Sequence, residues 1–95
     1  MSNVKNNYEI NKDLLISVGQ VIFDARSRLK MTQEEVASKA GLSWRYLQNI
    51  ESARKASKSI HLKSISLSVF AGIANALGIS PDDLLKKALA HTKIR

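Results

Sequence analysis

The side chains best suited to chemistry in this 95-residue chain are Trp44, Arg45, Gln48 and Asn49. Leu47 and Ile50 stand three apart among them, which puts both aliphatic groups on the inner face of a helix. The other four then point largely outward. A face of that kind recognises rather than reacts. The Arg45 fork can take both acceptors of guanine, and the amides of Gln48 and Asn49 can bond the paired edge groups of adenine. The plain alternative for all three is a solvated helix surface. Trp44 can press on a thymine methyl or cover a sugar, or else fold back onto its own domain or line a dimer contact. Arg54, Lys55, Lys58 and Lys63 follow with no acid between residues 52 and 64, so this basic segment either adds phosphate contacts or is a solvated loop. Catalytic chemistry finds no footing: there is no cysteine, His61 and His91 are isolated, and Asp82-Asp83 serve as first-turn acids of a helix. No metal, cofactor or enzymatic activity is expected.

The outward set needs a frame. Residues 33 to 52 read as two short helices broken by a tight turn. Thr32 can cap the first, with Glu35 completing a capping box. Val36, Ala37 and Ala40 share one face, and Gly41 supplies the left-handed residue that ends it. Ser43 is a second N-cap, its hydroxyl also able to touch phosphate, and small Ala37 lets the second helix cross closely. Together these features define a helix-turn-helix, a unit that presents one helix to a DNA groove. Before it, Val18, Val21, Ile22, Ala25 and Leu29 follow a 3.6-residue stripe that starts near Asn11 or Asp13 and ends near Lys30. After it, residues 52 to 64 carry no helical stripe, although Ile60 and Leu62 alternate as in a short strand. Leu67, Phe70, Ile73, Ala74 and Leu77 form a fourth helix stopped by Gly78. Ser80-Pro81-Asp82-Asp83 starts a fifth with a cap, a first-position proline and acids on the dipole; it carries Leu84, Leu85 and Leu89 and ends near His91.

The stretch resembles the lambda-repressor-like (Cro/repressor, XRE-type) helix-turn-helix family, on Gln33, Val36-Ala37, Ala40-Gly41-Leu42, Leu47, Ile50 and Glu51, with LGISPDDLL (77 to 85) resembling the last-helix entry. The likeness spans roughly Val18 to Leu85. It implies that Gln33 meets the DNA backbone, that Tyr46 packs or reaches phosphate, and that Arg26 pairs with Glu51 to fix the crossing of the first and third helices. It also implies a homodimer on a pseudo-palindromic operator. The apolar residues best placed for a seam are in the last two helices, such as Ile79, Leu85 and Leu89, and core burial is the alternative reading of all three. Lys30 departs from the family's usual glycine, so that turn costs about 1 kcal/mol or takes another shape. The segment after Glu51 is longer than usual. Chain length and Tyr46 resemble controller proteins of restriction–modification systems; a phage repressor or an antitoxin with a toxin partner fits as well. A different class, an adaptor that binds transcription machinery through the same fold, is disfavoured by the charge and the outward polar set.

The totals agree. Net charge is +7, which favours a polyanionic partner; charge alone leaves RNA and an anionic membrane open beside double-stranded DNA, and the helix-turn-helix selects DNA. Aromatics are 5% of residues, so the core is aliphatic packing between helices. With no membrane span, no signal pattern and no cysteine, a cytoplasmic protein is expected. The expected architecture is all-α: five helices over 13–91, a loose arm over 1–12 and a short tail over 92–95.

Overall fold

The computed structural model describes residues 6–55 and 64–92, with the backbone alone for 7–10. Among them lie five α-helices, α1 (Asn7–Arg28), α2 (Gln33–Ala40), α3 (Trp44–Ser52), α4 (Leu67–Ala76) and α5 (Pro81–His91), a 3₁₀ turn at Ala53–Lys55, and no strand. The all-α five-helix expectation holds. Helix α1 begins at Asn7, earlier than Asn11 or Asp13, so half of the expected arm is helix. Polar residues continue a helix as well as they make a loop once the apolar stripe beyond them is anchored, and periodicity cannot place such an end. Lys58, Lys63, His61 and the suggested strand at Ile60 and Leu62 lie outside the described residues.

One core joins all five helices. Val18, Val21, Ile22 and Ala25 of α1 meet Val36 and Ala37 of α2, and Leu47 and Ile50 of α3. Phe70, Ile73 and Ala74 of α4 close it from one side, with Leu84 and Ala88 of α5. Two stripe residues do not belong. Leu67 is 85% exposed and Leu29 47% exposed, because each sits at a helix end beyond the reach of the opposing layer. Leu85 and Leu89, at 38% and 42%, lie on the outer side of α5.

Three helices stop by one device. In each, the amide two residues past the last turn reaches a carbonyl five back, and the residue before it takes the left-handed region. Helix α1 uses Met31 N–H to the Arg26 carbonyl (3.0 Å), α2 uses Leu42 to Ala37 (2.8 Å) and α4 uses Ile79 to Ala74 (3.0 Å). Gly41 (φ 72°) and Gly78 (φ 71°) fill the left-handed position in two of them, and Lys30 (φ 57°) in the third. The expected turn shape before Thr32 is therefore kept, with the strain carried by a lysine. Helix starts are equally local. Thr32 and Glu35 make the full capping box, Ser43 accepts from the Tyr46 amide at 3.1 Å, and Ser66 accepts from the Val69 amide at 3.1 Å. Ser80 holds the cap position of α5 without a side-chain bond; Pro81 and the two acids start that helix without the hydroxyl.

A candidate DNA interface on the third helix

The sequence from Gly41 to Ser52 sets α3 proud of the domain. Gly41 turns the chain, Ser43 caps, and Leu47, Ile50 and Glu51 are buried beneath. That leaves Trp44, Arg45 and Ser52 exposed and Gln48 and Asn49 half-buried. These positions recur in steps of one helical turn and form a continuous stripe. The four outward residues expected from spacing therefore do share one open face. Tyr46 is half-buried and packs against the core. Lys55 is exposed just beyond the end of α3.

Beneath the stripe lies a clamp built on one carboxylate. Glu51 has no exposed surface. It accepts Nε of Arg26 at 2.8 Å and Nη2 at 2.8 Å, a two-point fork. The third guanidinium nitrogen donates to the Met31 carbonyl at 3.0 Å, and the Gln33 amide donates to Glu51 at 3.1 Å. Helix α1, the turn after it, α2 and α3 are thus tied through a single group. The bond to Glu51 holds the Arg26 guanidinium above its ordinary pKa despite partial burial, so it stays cationic wherever the protein is folded. Removing either partner would strand a charge at a cost of about 3–5 kcal/mol. The Arg26–Glu51 pair implied by the resemblance is present at 2.8 Å.

The network reaches the outer face. Gln33 Oε1 accepts the Trp44 indole N–H at 3.0 Å, so the Gln33 side chain is directed inward and sideways, with one amide hydrogen uncommitted. Spacing could not reveal this, because the partners come from three separate helices. Arg54, expected on the DNA side with the basic segment, is instead held by the protein. Its guanidinium lies 3.9 Å over the Phe23 ring and donates to the Glu51 carbonyl at 2.9 Å. The missed signal was Phe23, an aromatic outside the α1 stripe that offers a cation a face. Gly19 is the other residue that spacing did not mark. A Cβ there would come within 2.6 Å of the Ile50 carbonyl, so its lack of side chain is what lets α1 and α3 approach.

A capped pair of helices at a left-handed turn, with an apolar underside and a polar outer face, defines a helix-turn-helix protein. The chain belongs to the helix-turn-helix domain family, which matches residues 19–89. Among solved structures it is similar to the clp gene regulator ClgR from C. glutamicum, with a TM-score of 0.70 and 26% identity over 86% of this chain and 96% of that one. It is similar also to the restriction-modification controller protein C.AhdI from Aeromonas hydrophila, with a TM-score of 0.62 and 27% identity over 74% and 94%. The chain is a DNA-binding transcriptional regulator of the lambda-repressor-like, XRE type. No relative among curated protein sequences matches it. Among the described residues no helix is long and apolar enough to cross a membrane.

Proposed function

We propose that the protein is a sequence-specific repressor that inserts α3 into the major groove, as a two-fold dimer on a pseudo-palindromic operator. The open stripe of Trp44, Arg45, Gln48 and Asn49 over a fully buried underside is the observation that carries this reading. Arg45 reads guanine, Gln48 and Asn49 read the neighbouring pairs, and Ser43, Tyr46, Lys55 and Lys58 work on the backbone around them. Gln33 has one amide hydrogen left for a phosphate at the start of α2. One helix covers too few base pairs for a unique address, which is why a pair of half-sites one helical turn apart is proposed. Exposed Leu85 and Leu89 of α5 supply apolar surface for the seam. A domain that sits across its operator represses by occlusion wherever that operator overlaps a promoter. The two solved relatives serve different systems by their descriptions, a restriction–modification controller and a clp gene regulator, so the regulated gene is set by the operator rather than by the fold.

Selection of bound duplexes from a random pool tests the reading. The expected result is a symmetric motif whose affinity falls steeply with salt. Arg45→Ala should weaken the selected site by about 1–3 kcal/mol while leaving random-sequence binding nearly unchanged, as measured by titration on both duplexes. Equal losses on the two would show that Arg45 does not read a base. Absence of any DNA binding at low salt would point to a protein-binding adaptor or antitoxin.

A further inference from the structure

Trp44 is the one outward residue whose contribution to groove reading is not obvious from its type, and its bonding narrows the choice. An indole has a single hydrogen-bond donor and no acceptor. That donor is given to Gln33 Oε1 at 3.0 Å. The Gln33 amide cannot turn over to release it. The Glu51 carboxylate only accepts and the indole only donates, so the amide nitrogen must face Glu51 and its oxygen must face Trp44. Glu51 is itself fixed by the Arg26 fork. The indole is therefore anchored through three consecutive links to α1, yet it is 50% exposed. What it offers outward is apolar ring and nothing else.

Residues at the start of the reading helix are the ones that meet base edges, and Trp44 is the first residue of α3. Among the groups on the floor of the major groove, the thymine C5-methyl is the apolar one. We propose that Trp44 selects thymine by ring-to-methyl contact, with Gln33 acting as the positioning residue that holds the ring edge in place. The inference rests on groove insertion of α3 as proposed above. A ring packed over sugar would contribute affinity without preference; a ring whose polar atom is turned away and pinned is suited to a fixed apolar contact in the groove.

The test uses the selected operator with each thymine replaced in turn by deoxyuridine, which deletes the methyl and leaves every hydrogen-bonding group unchanged. Binding of the full chain should weaken about fourfold at one thymine of each half-site, the worth of one buried methyl, and be unaffected at the others. Trp44→Ala, checked for intact helix content by circular dichroism, should bind the thymine and deoxyuridine duplexes equally. A scan with no sensitive position, or a sensitive position whose effect survives in Trp44→Ala, overturns the assignment. If the operator is still preferred over random DNA in that case, the regulator reading stands; if no duplex is ever preferred, both fall together.

Discussion

Lys30 shows how one side chain can hold a position that its chemistry does not favour. At φ 57° its Cβ crowds the following carbonyl at a cost of about 1–2 kcal/mol, whereas Gly41 and Gly78 meet the same demand freely. Lys30→Gly should therefore stabilise the domain by about 1 kcal/mol, raising the melting temperature by about 4–8 °C; an unchanged melt would mean the lysine is compensated locally. Glu35 gives a pH signature. Its carboxylate accepts the Thr32 amide at 2.8 Å, and that bond, with the Thr32 hydroxyl, holds it below its usual pKa. A depressed folded-state value means the benefit is complete above the free glutamate value of 4.5 and disappears as pH falls through the lowered one. Thermal melts from neutral pH down through that range should show a loss that Glu35→Gln removes. The capping box was legible in the sequence because both partners lie three residues apart. The Trp44–Gln33–Glu51 links were not, since nothing in a linear spacing reports that residues eleven and eighteen positions apart meet.

Helix packing turns on a similar limit. The stripes of α1, α3 and α4 were readable from period alone, yet Leu29 and Leu67 matched the period and stayed in solvent. Period marks a face; only the length of the opposing helix decides how much of that face is covered. Close approach is equally silent in the sequence, as two of the four glycines illustrate. A Cβ at Gly19 would lie 2.6 Å from the Ile50 carbonyl, whereas one at Gly72 would meet its nearest atom, the Ala40 carbonyl, at 3.5 Å. Gly19→Ala should accordingly destabilise by about 1–3 kcal/mol, because backbone must move. Gly72→Ala should be neutral or stabilise by up to about 1 kcal/mol through better helix propensity. Urea midpoints of the two variants check the contrast, and similar values for both would mean that α1 can slide on α3 without strain. Arg54 belongs to the same scale. Lying over Phe23, it secures the end of α3 to α1, which leaves Lys55 as the exposed cation just beyond α3 that can face a phosphate.

For the molecule as a whole, solvent-facing leucines matter most. Leu85 and Leu89 sit one turn apart on α5 and are the apolar residues proposed for the dimer seam. Leu85→Glu with Leu89→Glu should leave the monomer folded, since neither side chain is in the core, and should abolish dimers in sedimentation while weakening operator binding. Retention of a dimer would move the seam elsewhere. The fold class and the outward set of α3 could be read before any coordinates because both rest on local rules of capping and period. Of the bonds that aim α3, the Arg26–Glu51 pair was implied by the family resemblance alone, and those to Met31 and Gln33 could not be read at all, because every one is made with another element. The orientation of α3 is borrowed. Its acid is secured by a guanidinium from α1, a carbonyl from the turn takes up the spare nitrogen, and an amide from α2 closes the ring of partners. Grafting the nine residues of α3 onto an unrelated scaffold would thus transfer the letters of the reading face without the angle at which they are read.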